Sequence, residues 1–305
     1  MSNSDAELKE KIINLKTREN AIILAHNYQL GEIQDIADFV GDSLELSQKA
    51  ARTNADVIVF CGVHFMAETA AILCPDKIIL LPDTHAGCPM ANMITAKRLR
   101  EKKKEHPKAK VVCYVNSSAE VKAESDVCCT SANAVGIVEK LADAEELLFV
   151  PDQYLGNYVS TKTGREMILW PGFCPTHARI QPQDISRQKA EHPQAKAIVH
   201  PECKPEVITL ADEVLSTGGM IRFARETEPE EIIVGTEIGI IHRLRKENPG
   251  KRFIPASEQA VCPRMKLITL ETVLWSLEEM VNQIRVPERT RLRAKAAVDK
   301  MLEVV

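Results

Sequence analysis

Three cysteines share a local signature: Cys88 in "HAGCPMA", Cys174 in "PGFCPTH" and Cys262 in "QAVCPRM" each precede a proline. They stand 86 and 88 residues apart, and none belongs to a C-x-x-C pair, which sets aside zinc-ribbon and ferredoxin-type motifs. One such cysteine alone reads as a small buried hydrophobe, but three equivalent ones read as a metal site. Three thiolates leave one coordination position open. Zinc with a bound water suits them, and so does an iron–sulfur cluster whose fourth iron takes a substrate oxygen and acts as a Lewis acid. The proline after each cysteine offers no N–H and stiffens its loop.

A second set of polar residues recurs at nearly the same interval. The apolar runs "AIILAHNY", "VVCYVNS" and "AIVHPEC" end in His26-x-Tyr28, Tyr114-x-Asn116 and His200-x-Glu202, with tips 88 and 86 residues apart. A hydroxyl stands 17 residues beyond each tip: Ser43, Ser131 and Thr217. Any one of them reads as a helix N-cap. Repeated at one spacing, they point to a shared pocket. In a parallel α/β unit, strand tips and the following helix N-termini lie on one edge of the sheet, where backbone N–H groups favour a small anion.

These groups need a frame, and the chain supplies it three times. Further strand-like runs follow as "ADVIVF", "EELLFV" and "EEIIVG", then as "KIILLP", "EMILWP" and "KRFIP". Helix-compatible segments lie between them: "DSLELSQKAART", "TSANAVGIVEKLA" and "TLADEVLSTGGMIRFARE". Alternating helices and nearly continuous apolar strands predict parallel βαβ units. The expected fold is α/β: three similar α/β/α sandwich modules with parallel sheets around a pseudo-threefold axis. The expected divisions are an N-terminal helix (1–19), modules at 20–107, 108–193 and 194–272, and a C-terminal helical segment (273–305) interrupted by Pro287. Each module closes on its cysteine loop, so tips, hydroxyls and thiols can converge.

Composition narrows the setting. With 39 basic against 43 acidic residues, the charge is balanced, and neither nucleic acid nor a membrane is expected as a partner. The most basic run, "AKRLREKKKEHPKAK", reads as a solvated helix face. The polar N-terminus is unlike a signal peptide, and no apolar run reaches the ~20 residues of a membrane span, so a cytoplasmic protein is expected. Nine cysteines without an export signal argue against disulfides. Cys61, Cys74, Cys113, Cys128, Cys129 and Cys203 have no equivalents in all modules and read as packing residues.

Nine segments together carry a resemblance: "AHNYQ", "GDSLELS", "GCPMA", "YVNSSAEVKAESDVCCTSANA", "PGFCPTH", "HPEC", "STGGM", "GTEIGIIHRL" and "CPRMK". From about residue 20 to residue 285 the chain resembles the quinolinate synthase family, the A protein of bacterial and archaeal NAD biosynthesis. The resemblance implies condensation of iminoaspartate (iminosuccinate) with dihydroxyacetone phosphate to quinolinate, phosphate and water. It implies transient contact with an aspartate-oxidising enzyme that supplies iminoaspartate. It also implies a 4Fe-4S cluster on Cys88, Cys174 and Cys262, with the open iron as Lewis acid. The implied substrate pocket comprises His26, Ser43, Tyr114, Val115, Asn116, Ser131, His177, His200, Pro201, Glu202, Ser216 and Thr217. Glu202 would be the general base, while Tyr28 and His26 would assist triose isomerisation and ring closure. Some members carry a C-x-x-C at the third ligand, but here Met265 stands three residues after Cys262, so no disulfide switch is expected there. The adjacent Cys128 and Cys129 are no substitute, because neighbouring cysteines rarely meet disulfide geometry without strain.

Overall fold

Runs rich in Ile and Val favour extended backbone, and in the computed structural model they form three sheets of four strands. The structure describes residues 3–304; Met1, Ser2 and Val305, which the expected terminal segments include, lie outside the described residues. The first sheet contains β1 (Ala21–His26), β2 (Phe39–Gly41), β3 (Val57–Cys61) and β4 (Ile78–Leu80), ordered β2-β1-β3-β4. The second contains β5 (Ala109–Tyr114), β6 (Val127–Cys129), β7 (Glu146–Val150) and β8 (Ile168–Leu169), ordered β6-β5-β7-β8. The third contains β9 (Lys196–Val199), β10 (Glu213–Val214), β11 (Glu231–Gly235) and β12 (Arg252–Pro255), ordered β10-β9-β11-β12. Every pairing within these sheets is parallel, and helices flank them, as the three-module α/β reading requires.

The edge strands β2, β6 and β10 were not expected. They are two or three residues long, and β10 lies inside "TLADEVLSTGGMIRFARE", a segment read as helix. An aspartate at the head of each explains the difference. The carboxylates of Asp38, Asp126 and Asp212 accept the backbone N–H of Ile23, Val111 and Ala197 at 2.8, 2.9 and 2.8 Å. The backbone N–H of each aspartate in turn donates to the carbonyl of that same partner. This two-bond clasp fixes the register of the edge strand against the first strand. Directly after the edge strand come Ser43, Ser131 and the Ser216-Thr217 pair.

The strand order also locates the crevices. From β1 the chain steps to one side for β2 and to the other for β3, and the same reversal recurs at β5 and β9. Ligands bind outside the carboxyl ends of strands at such a switch point. Here the tips are His26, Tyr114 and His200.

Packing around this frame follows the sequence pattern. Cys61, Cys113, Cys128 and Cys129 are buried in strands, Cys74 and Cys203 are buried outside them, and all nine cysteines are free. Helix Ala96–Glu105, which carries the basic run, buries only Leu99. Helix Asn3–Arg18 packs on helix Leu270–Glu279, and helix Glu288–Leu302, opened by Pro287, packs on β6 and helix Ala119–Ala123. Among the described residues, no helix is long and apolar enough to cross a membrane.

Candidate active site

The three crevices open into one cavity of about 270 Å³. His26, Tyr28, Ser43 and Cys88 line it from the first module, and Tyr114, Asn116, Ser131, Cys174 and His177 from the second. His200, Glu202, Thr217 and Cys262 line it from the third. Each module thus contributes a strand tip, a hydroxyl and a thiol. Three expected pocket residues do not line the cavity: Val115 and Pro201, buried in the middle of their tips, and Ser216.

None of the three lining hydroxyls caps its helix. The carboxylate of Asp42 caps helix Ser43–Arg52, accepting the N–H groups of Leu44 and Glu45 at 3.0 and 2.9 Å. Ser216 caps helix Thr217–Glu226, accepting the Gly219 N–H at 3.1 Å, and its hydroxyl donates to Asp42 at 3.2 Å. Helix Ala134–Lys140 starts only after Asn133. The single-residue capping reading of Ser43, Ser131 and Thr217 is therefore corrected: Asp42 and Ser216 do the capping beside Ser43 and Thr217, Ser131 precedes its helix without capping it, and all three hydroxyls are left at the cavity wall.

Two strand tips hold histidines in one tautomer. The backbone N–H of Tyr28 donates to Nδ1 of His26 at 3.2 Å, and that of Glu202 donates to Nδ1 of His200 at 3.3 Å. A neutral ring that accepts at Nδ1 carries its proton on Nε2, and Nε2 of His200 lies 3.1 Å from the Ser131 hydroxyl. Burial pushes both imidazoles down to about 3, against the pull of Glu202. Both rings are thus neutral donors at physiological pH. In the unfolded chain they return to an ordinary value near 6.5, so the unfolded state binds more protons between pH 6.5 and about 3. Stability is present above that window and is lost as pH falls through it. The urea midpoint of metal-free protein is expected to drop between about pH 7 and pH 5, above most carboxylate titrations; a constant midpoint would show that the folded rings accept protons freely.

Glu202 is the buried anion among these donors, at 3% exposure. His177 Nδ1 lies 2.8 Å from Oε2, and the Asn116 amide donates to Oε1 at 3.4 Å. Burial opposes ionisation, but His177, His200 and the Tyr114 hydroxyl outweigh it and hold the carboxyl down to about 2. On the far side of His177, Nε2 is 2.8 Å from the Thr236 hydroxyl, which is 2.5 Å from the hydroxyl of Tyr28. A continuous chain, Tyr28–Thr236–His177–Glu202, joins a phenol to a carboxylate. Burial, reinforced by Glu202, raises Tyr28 and Tyr114 well above the ordinary phenol value, so both are proton donors. Such a chain can remove a proton at one end and deliver one at the other. The Asn116 carbonyl oxygen is buried without a hydrogen-bond partner, an acceptor open to a ligand N–H.

The three thiols line the same cavity. Burial pushes Cys88 up to about 12 and Cys174 well above its ordinary value. The charge of Cys262 adds to the shift of Cys88, and that of Cys88 to the shift of Cys174. Burial alone raises the packing residue Cys61. Backbone N–H groups of Met90 and Ala91 face the Cys88 sulfur, and that of His177 faces Cys174. Soft donors from three loops, supported by N–H···S contacts, fit a thiolate-held iron–sulfur cluster. A second grouping overlaps it: the ligand atoms of Cys174, His177 and Glu202 all lie within 4.8 Å of one another. The loop before Cys174 needs its glycine, since a Cβ on Gly172 would stand 2.3 Å from the Pro151 carbonyl oxygen.

Sequence reasoning gave no role to Asp42, Thr236 or Glu237. Thr236 and Glu237 follow the third strand of their module in space, β11, whereas the recurring polar tripeptides end the first strands.

The family described as Quinolinate synthetase A protein matches residues 10–303. A quinolinate synthase of Dehalococcoides mccartyi is 63% identical over 298 residues, 98% of each chain. One of Methanosarcina barkeri is 56% identical over 299 residues, again 98% of each. A third, of Thermodesulfovibrio yellowstonii, is 54% identical over 297 residues, 97% of this chain and 98% of the relative.

Proposed function

The chain belongs to the Quinolinate synthetase A protein family, and on that premise we propose that it makes quinolinate for NAD biosynthesis from iminoaspartate and dihydroxyacetone phosphate, releasing phosphate and water. The observation that carries this reading is the convergence of one thiol, one hydroxyl and one strand tip from each module on a single cavity. Both proposed substrates are small anions. Ser43, Ser131 and Thr217, with first-turn N–H groups, bind carboxylate and phosphate oxygens, helped by the neutral Nε2–H groups of His26 and His200.

Cys88, Cys174 and Cys262 would hold a 4Fe-4S cluster, which when bound supplies an open, Lewis-acidic iron. The remaining chemistry belongs to the chain's own side chains. Glu202 is ionised and removes protons from substrate carbon; it becomes a stronger base as substrate takes over the hydrogen bonds of Tyr114 and Asn116. Tyr28 protonates leaving oxygen and is recharged through Thr236 and His177, while His26 orients the triose during isomerisation and ring closure. The open acceptor on Asn116 receives the substrate N–H. An aspartate-oxidising enzyme in the same cytoplasm would supply the unstable imine by transient contact.

One observation favours a second reading. The Cys174, His177 and Glu202 set also suits a single zinc ion, as in a different lyase or hydrolase. Protein purified without oxygen is expected to carry about four irons per chain and to convert the two substrates into equal amounts of quinolinate and phosphate. Bound zinc with no quinolinate formed would favour the second reading instead.

A further inference from the structure

Among the charged residues of the segments "GTEIGIIHRL" and "CPRMK" that the chemistry above does not use are Glu237 and Lys266. Glu237 follows β11, lines the cavity and is 0% exposed. Its Oε1 accepts the backbone N–H of Cys262 at 3.1 Å, and its Oε2 accepts that of Gly239 at 2.8 Å. The ammonium of Lys266 stands 3.0 Å from the same carboxylate and donates to the backbone carbonyl of Tyr28 at 2.5 Å. A carboxylate this deeply buried persists only when paired and hydrogen-bonded, and here both conditions are met.

The glycine between them makes the arrangement possible. A Cβ on Gly239 would lie 2.6 Å from the Lys266 ammonium and 2.7 Å from both the Glu237 carboxylate and the Tyr28 carbonyl oxygen. Four groups therefore meet where only a residue without a side chain fits. The equivalent third-strand tips hold Val63 and Asp152. Val63 carries no charge, and Asp152 accepts the N–H groups of Tyr154 and Leu155 at 2.8 and 2.9 Å and that of Cys174, all in its own module, with no ion pair among the described residues leading to another. Among the described residues, the link from a cysteine loop through an ion pair to another module's strand tip belongs to Glu237 and Lys266.

We propose that Glu237 and Lys266 are a positioning pair that fixes the backbone of Cys262 and the backbone of Tyr28 at one separation, so that the third thiol and the phenol face the same substrate. The part concerning Tyr28 rests on the function proposed above; the part concerning the Cys262 loop does not. Neither residue touches the reacting atoms. Their effect is on orientation, so losing the pair lowers kcat while leaving ground-state binding almost unchanged.

The test uses full-length protein and the variants Lys266→Met, Lys266→Arg and Glu237→Gln. In metal-free protein, alkylation by iodoacetamide followed by peptide mass spectrometry gives the labelling rate of Cys262 relative to Cys88 and Cys174. Lys266→Met is expected to speed Cys262 labelling about tenfold relative to the other two, and Lys266→Arg to restore most of the protection. In protein loaded to wild-type iron content, Lys266→Met is expected to lower kcat by about tenfold or more while KM stays within about threefold. Unchanged relative labelling, or a loss that falls wholly on KM, overturns the pairing. If Lys266→Met lowers the unfolding midpoint so far that it cannot be assayed, the isosteric Glu237→Gln decides by the same two readouts. Wild-type protein that binds no iron and forms no quinolinate would overturn the proposed function, while the labelling arm would still decide the Cys262 half of the pair.

Discussion

Glu202→Gln is expected to retain the full iron content of the wild type and to lose quinolinate formation by about a thousandfold. The substitution preserves shape, so the single carboxamide oxygen can still face His177, 2.8 Å from the native Oε2, while the amide NH2 takes the Oε1 position 3.4 Å from Asn116. It removes the one carboxylate in the cavity held ionised by His177, His200 and Tyr114. A carboxamide cannot take a proton from carbon, and general-base catalysis typically contributes between about a hundred- and ten-thousandfold. The three thiols are unchanged and His177, in the Cys174 loop, keeps an acceptor, so the iron content should not respond. Quinolinate is followed by chromatography and iron by colorimetric assay on the same preparation. Turnover within about tenfold of wild type would remove Glu202 from the base role.

The second large effect concerns the thiols. Cys88→Ala, Cys174→Ala and Cys262→Ala should each reduce bound iron from about four per chain to near zero and abolish quinolinate formation. The metal-free unfolding midpoint should change less than for a fully buried cysteine, because all three are only half-buried and pack at the margin of the core. Cys61→Ala and Cys203→Ala supply the contrast. Both are fully buried, so each costs on the order of 1 kcal/mol in stability and leaves iron and turnover intact. A full cluster in any one of the first three variants would end the three-thiol assignment.

Much of this was legible in the chain. A spacing of 86 to 88 residues exposed three modules because long strands such as β1, β5 and β9 are almost continuously apolar and cannot be mistaken for loops. The edge strands were not legible by that route. β10 is two residues long and polar at its first position, so its extended form comes from Asp212 gripping Ala197 and from pairing with β9, not from propensity. The hydroxyls were found by counting, but their bland reading failed for a physical reason: Asp42 and Ser216 stand one residue earlier and reach the helix N–H groups first. Thr236 escaped because its importance lies in a contact with His177, 59 residues away in the chain and contributed by another module.

The clasps at Asp38, Asp126 and Asp212 repeat one hydrogen-bond geometry three times, while the tips beyond them carry His and Tyr, Tyr and Asn, and His and Glu. Inheritance and specialisation are therefore written in different residues. A module can exchange the pair at its tip without disturbing its alignment, so three copies of one architectural unit divide among themselves work that none could do alone.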